Sequence, residues 1–228
     1  MMQEVRTILL SKSVFEDNDR AADALRDRLR EKGVCLINIM SSPGSGKTTL
    51  LISLIRRLCE KYRVGVMEAD IDSDVDALTV ARETGCRSVQ LHTDGMCHLD
   101  AGMTEQGLRE LGDGLDLIFL ENVGNLVCPA EYDTGATYNV VILSVPEGTD
   151  KPLKYPLVFE NSDLVIISKL DALPYFDYDI EECKRNVGTR NGRVEVIPVS
   201  AKTDENMEQL EKWFINKLNE GLSYAETK

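Results

Sequence analysis

The 228-residue chain carries 43% hydrophobic residues and a formal net charge of −13. That composition fits one medium globular domain and argues against nucleic acid or an anionic membrane as a partner, since both need a basic footprint. There is no internal repeat or low-complexity tract, the longest apolar runs (140–145, for example) are too short to span a bilayer, and the first residues lack the basic-then-apolar layout of a secretory signal, so a cytoplasmic protein is expected.

Residues 13–32 read as an amphipathic helix. Ser13 serves as N-cap, Glu16 follows three residues on, Ala21, Ala22, Leu25 and Leu29 recur at helical spacing, and Gly33 ends the pattern. This sets off an N-terminal strand/helix appendage, 1–33, from a nucleotide-binding domain, 34–228. Strands are predicted at 34–40, 63–68, 88–91, 115–121, 139–145, 164–169 and 194–199. Helices are predicted at 47–61, 74–84, 98–111, 180–187 and 204–220. Stretches such as Leu117-Ile118-Phe119-Leu120 and Val140-Val141-Ile142-Leu143 are continuously apolar, as parallel strands covered on both faces require. The expectation is an α/β fold, doubly wound on a mostly parallel sheet, with ligands at the carboxyl ends of the strands.

After the first of these strands comes Ser41-Ser42-Pro43-Gly44-Ser45-Gly46-Lys47-Thr48, followed by Thr49 at the opening of a helix. This is a phosphate-binding loop, with Ser41 standing where the common pattern has glycine. Its glycines let backbone amides turn toward phosphates, and the helix N-terminus adds its positive end. Lys47 is assigned to the β- and γ-phosphates and the Thr48 hydroxyl to Mg²⁺. Glu121 ends a strand and opens Glu121-Asn122-Val123-Gly124, like the Asp-x-x-Gly element of GTPases. Glu121 would be a second magnesium ligand, and the Gly124 amide would approach the γ-phosphate. The run Asp70-Ile71-Asp72-Ser73-Asp74-Val75-Asp76 fails as a calcium loop, because Val75 occupies the required glycine position. It reads instead as a nucleotide-sensing switch loop in which Asp70 approaches Mg²⁺ or activates the attacking water.

Two further strand ends carry Ser168-Lys169-Leu170-Asp171 and Ser200-Ala201-Lys202. They match the Asn-Lys-x-Asp and Ser-Ala-Lys loops with which GTPases read guanine. The Asp171 carboxylate would accept from the guanine N1–H and amine, groups adenine does not offer. Ser168 replaces the usual asparagine brace, with lower GTP affinity as the expected cost.

Of six cysteines and two histidines, Cys97 and His98 are adjacent, and Cys128 lies on the loop that begins at Glu121. A thiolate–imidazole–thiolate set suits Ni²⁺ or Zn²⁺ and leaves a coordination position open, as a transfer site needs. Cys35, Cys59, Cys86 and Cys183 lack such partners and read as structural; His92 reads as a strand-end residue.

Together these residues resemble the HypB family of hydrogenase nickel-incorporation GTPases. The most specific pieces are the phosphate loop, Cys97-His98-Leu99-Asp100-Ala101, the 121–129 segment and Glu147-Gly148-Thr149-Asp150-Lys151-Pro152-Leu153-Lys154-Tyr155-Pro156. No glutamine follows Gly124 to orient water, so slow turnover is expected. The resemblance implies a SIMIBI-like P-loop GTPase, acting as a GTP-dependent homodimer in which Lys154 reaches the partner subunit's nucleotide. It also implies nickel transfer, with a small accessory protein, to the large subunit of a [NiFe] hydrogenase. The Cys-rich and His-rich N-terminal motifs of some members are absent, and His92-Thr93-Asp94-Gly95-Met96 departs from the family's usual Asn-Thr-Gly-x-Gly. These departures leave open a paralogue serving another nickel enzyme. A phosphotransferase or ATPase, or a passive metal-binding protein, are the readings from other classes.

Overall fold

The computed structural model describes residues 10–70, 75–93 and 95–226. Helix α1 (Leu10–Glu31) leads into β1 (Cys35–Ser41), α2 (Lys47–Leu58), β2 (Val64–Asp70), α3 (Val75–Thr84), β3 (Arg87–His92) and α4 (Ala101–Leu111). Then follow β4 (Leu117–Glu121), α5 (Cys128–Glu131), β5 (Tyr138–Ser144), α6 (Lys151–Lys154), α7 (Pro156–Glu160), β6 (Leu164–Ser168), α8 (Ile180–Gly188), β7 (Glu195–Pro198) and α9 (Met207–Glu226). Short 3-10 turns occupy Val145–Glu147 and Leu170–Tyr175.

The seven strands form one sheet in the order β3-β2-β4-β1-β5-β6-β7, and every pairing is parallel. The continuous apolar strands behave as parallel-sheet strands should, because alternate residues leave on opposite faces. Ile37 and Ile39 of β1 join Leu51 and Leu54 of α2 and Phe214 of α9 on one face. Leu36 packs on the other with Leu25 and Leu29 of α1, while Met40 meets Phe159 of α7 and Val187 of α8. Truncating such a residue to alanine costs about 2–5 kcal/mol. Gly107 lets α4 lie close to the sheet, since a Cβ there would stand 2.7 Å from the Met67 sulfur.

Strand β1 sits between β4 and β5, and the chain winds away from it in both directions. Its carboxyl end is therefore the topological switch point, the crevice where open α/β sheets hold ligands. Among the described residues no helix is long and apolar enough to cross a membrane.

Three predicted helix starts move. The first helix, expected from residue 13, begins at Leu10, so Ser13 lies inside it and is not its N-cap. The helix expected from residue 98 begins at Ala101, because Asp100 stays extended and its carboxylate accepts the Met103 amide as N-cap. The helix expected from residue 204 begins at Met207, after Asp204 and Asn206 take positive φ of 66° and 58° and Ser200 pairs with Glu205. Residues 1–9, part of the expected appendage, lie outside the described residues, as do 71–74 of the aspartate-rich loop and Asp94.

Candidate functional site

The phosphate loop leaves β1 and enters α2 with Gly44 and Gly46 at φ 75° and 87°, so the intervening amides curl around a single space. Ser41, in place of glycine, is absorbed rather than strained: the Ser45 hydroxyl donates to its Oγ at 2.8 Å, and Ser41 donates to the Ser42 carbonyl at 2.9 Å. The loop rims a cleft of about 470 Å3 lined also by Thr48, Thr49, Asp70, Asn122 and Gly124. Gly124 faces the loop closely, since a Cβ there would lie 3.2 Å from Pro43 Cγ.

At the floor of the cleft, Lys47 Nζ lies 3.5 Å from Glu121 Oε1. The sequence reading missed the third member. Glu68 is the direct neighbour of Glu121 in the β2–β4 register, and both are only 3% exposed. Glu68 Oε2 and Glu121 Oε2 have no hydrogen-bond partner. Burial, reinforced by the Glu121 charge, pushes Glu68 up to about 8, and burial pushes Glu121 up to about 7 against the pull of Lys47. Two such carboxyls in an otherwise apolar sheet are costly unless a cation completes them. Thr48, Glu121, Glu68 and Asp70 all line this cleft and offer hard oxygens, the donor type that Mg²⁺ takes. The signal for Glu68 was available, as an acidic residue inside the apolar run Val64-Gly65-Val66-Met67-Glu68-Ala69.

The two base-reading loops come together at the ends of β6 and β7. Asp171 Oδ1 accepts the Ser200 hydroxyl at 2.8 Å, and Lys202 Nζ lies 3.6 Å from Oδ2; the Ser200 hydrogen bond leads in holding Asp171 below its usual range. Lys169, at φ 61°, lays its stem across Gly46 and donates to the Gly44 carbonyl at 2.5 Å. Ser168 is itself a brace: its buried hydroxyl donates to the Ser45 carbonyl at 2.7 Å and ties the base loop to the phosphate loop. Ala201 packs at the edge of the core. Lys154 lies outside this cleft, exposed and ion-paired to Asp150 at 2.5 Å.

Cys128 lies near Cys97, and the neighbouring thiol raises the Cys97 pKa. His98 Nδ1 is 4.0 Å from Cys97 Sγ, and its ring stacks on Tyr132 with centroids 3.7 Å apart. Burial lowers the His98 pKa and favours the neutral, ligating imidazole. Among the described residues no three His, Cys, Asp or Glu side chains are gathered tightly enough to hold an ion. The corner is pinned from behind by Asn18 of α1, which donates to the Asp133 carbonyl at 2.9 Å and accepts from the Ala101 amide at 3.0 Å. Arg26 adds a two-pronged ion pair to Asp133 at 2.7 Å.

One expectation about the thiols fails. Cys59 and Cys86, read as unpartnered, face each other with sulfurs 3.1 Å apart.

The family described as CobW/HypB/UreG, nucleotide-binding domain, matches residues 35–198. The hydrogenase maturation factor HypB of Rhizobium leguminosarum bv. viciae is 42% identical over 213 residues, covering 93% of this chain and 71% of that protein. The hydrogenase/urease maturation factor HypB of Helicobacter hepaticus is 40% identical over 217 residues, 93% of this chain and 88% of that one. Among solved structures, HypB from Helicobacter pylori in complex with nickel superposes with a TM-score of 0.85 at 36% identity, covering 90% of this chain and 97% of that one. With its phosphate loop, guanine-loop pair and all-parallel sheet, the chain belongs to the CobW/HypB/UreG family of P-loop nucleotide-binding proteins, in its HypB hydrogenase-maturation branch.

Proposed function

We propose that the chain is a slow GTPase that handles nickel for [NiFe] hydrogenase maturation, its metal affinity set by the bound nucleotide. The observation that carries this reading is the course of one segment. Residues 121–128 run from Glu121, at the floor of the phosphate cleft, past Gly124 against Pro43, to Cys128 near Cys97. A γ-phosphate that draws in the Gly124 amide moves the residue that holds one thiol.

In this mechanism the loop amides and Lys47 bind the β- and γ-phosphates, and Asp171, Ser200 and Lys202 select guanine. Thr48, Asp70 and Glu121, with Glu68 beside them, would hold Mg²⁺, which supplies charge neutralisation for phosphoryl transfer. Asp70 orients the attacking water. Asn125, not glutamine, follows Gly124, which fits slow turnover. Cys97, Cys128 and neutral His98 take Ni²⁺ or Zn²⁺ as cargo, the thiols losing their protons and parting around the ion. A GTP-dependent homodimer, with Lys154 toward the partner subunit's nucleotide, and hand-over through a small accessory protein to the hydrogenase large subunit complete the reading. The H. pylori relative solved with nickel supports the cargo.

Two measurements test it. Competition between GTP and ATP tests the guanine reading, and tight ATP binding contradicts the role given to Asp171. Nickel titration of Lys47→Ala with GTP analogue tests coupling, which requires that this variant lose the nucleotide-dependent change. A second reading has a urease as the receiving enzyme. The hydrogenase/urease factor of H. hepaticus supports it, as does the departure at 92–96, and nickel uptake by each apo-enzyme separates the two.

A further inference from the structure

Two cysteines outside every motif, Cys59 and Cys86, stand 27 positions apart in sequence and 3.1 Å apart at their sulfurs. Cys59 caps the C-terminus of α2, the helix that begins at the phosphate loop, and is exposed. Cys86 lies between α3 and β3, held by the Thr84 hydroxyl, which accepts its amide at 3.2 Å. The same two segments are bridged by Arg56, which donates to the Glu83 carboxylate at 2.5 Å and to its carbonyl at 3.1 Å. Their relative position is therefore already set without a covalent link.

A metal site is the less favoured account. Two thiolates on tetrahedral zinc, with bonds of about 2.3 Å, sit about 3.8 Å apart, farther than these, and no set of three His, Cys, Asp or Glu is gathered here among the described residues. The geometry points to a dithiol: we propose that Cys59 and Cys86 form a reversible intramolecular disulfide that clamps the C-terminal end of α3 to α2.

With a peroxide as oxidant the chemistry balances. One thiol is oxidised to a sulfenic acid with release of water. The sulfur of the other then displaces the hydroxyl, forming the S–S bond and releasing a second water. Two thiols and one peroxide give one disulfide and two waters, and a small dithiol reverses the bond by exchange. Partial desolvation of its sulfur, then the neighbouring thiol, pushes Cys59 up to about 12, so oxidation is slow at neutral pH and accelerates as pH rises. The clamp acts on α3, whose Asp76 lines the phosphate cleft.

The test treats the full-length protein with hydrogen peroxide, blocks remaining thiols, and digests it with trypsin without reductant. Peptides 58–61 and 83–87 are expected to be joined, two hydrogens lighter than their sum, and to separate on adding dithiothreitol. The oxidised protein is expected to melt roughly 5–10 °C higher and to exchange the amides of 75–84 several-fold more slowly. Cys59→Ser should abolish both differences. Running Cys97→Ser alongside removes the other thiol pair. Absence of the joined peptide overturns the proposal, and so does a joined peptide with unchanged α3 exchange.

Discussion

Glu68→Gln is expected to stabilise the nucleotide-free protein above neutral pH while weakening its hold on magnesium-bound nucleotide. Glu68 and Glu121 are neighbours across β2 and β4, 3% exposed, each with an oxygen that bonds to nothing, and Lys47 is the cation beside them. Burial and the Glu121 charge raise Glu68 from 4.5 to about 8. A carboxyl whose folded pKa lies above its unfolded value takes up a proton on folding. Its contribution is full below about 4.5, falls as pH rises, and is gone once pH passes about 8. At about 1.4 kcal/mol per unit the displacement sets a ceiling near 5 kcal/mol, and solvent in the open cleft brings the expectation to about 2–3 kcal/mol. The glutamine variant has no proton to lose at this position, so the stability gap between variant and wild type should widen between about pH 5.5 and pH 8.5. That gap corresponds to roughly 4–10 °C for a domain of this size. Thermal melts of both proteins without nucleotide, at three pH values, measure it. Melting curves that stay parallel across pH would refute the claim that Glu68 is a raised, unpaired acid.

Asp171→Asn is expected to weaken GDP and GTP binding roughly 100-fold by removing a charged acceptor, measured by fluorescent-nucleotide titration; retained preference over ATP would count against guanine readout there. Ser168→Ala leaves the buried Ser45 carbonyl without its 2.7 Å donor and should cost about 1–2 kcal/mol in denaturant unfolding, with GDP affinity falling alongside; no change in either would mean the brace is idle. Cys128→Ser should lower nickel affinity at least about tenfold while leaving GDP affinity intact, as judged by competition with a colorimetric chelator, and equal nickel affinity would remove Cys128 from the ligand set.

The sheet was legible because parallel strands buried on both faces need apolar runs, and the inner strands appear where Val, Ile and Leu cluster, while the edge strands β3 and β7 are shorter on apolar residues and partly exposed. The phosphate loop and guanine loops were legible because backbone geometry and base chemistry demand fixed residues at fixed spacing. Glu68 was overlooked because a lone acid inside Val64-Gly65-Val66-Met67-Glu68-Ala69 gains meaning only when β4 brings Glu121 alongside. The Cys59–Cys86 contact is likewise tertiary, made by α2 and the β3 approach lying side by side. The misplaced start at His98 has a local cause. Asp100 takes the Met103 amide as N-cap and so starts the helix only at Ala101, which leaves Cys97 and His98 on the preceding loop, near Cys128. The short helices α5, α6 and α7 carry too few residues for periodicity to register, and each has Pro in its first turn as the one local sign.

The central claim is that nucleotide state governs the Cys97–His98–Cys128 corner through residues 121–128. Isothermal titration of nickel into the protein bound to GDP, and separately to GTPγS with Mg²⁺, tests it most directly. The account predicts affinities differing by at least about fivefold, the lower end of ordinary coupling between sites, with the difference lost in Gly124→Ala. Equal nickel affinity in the two nucleotide states would contradict it.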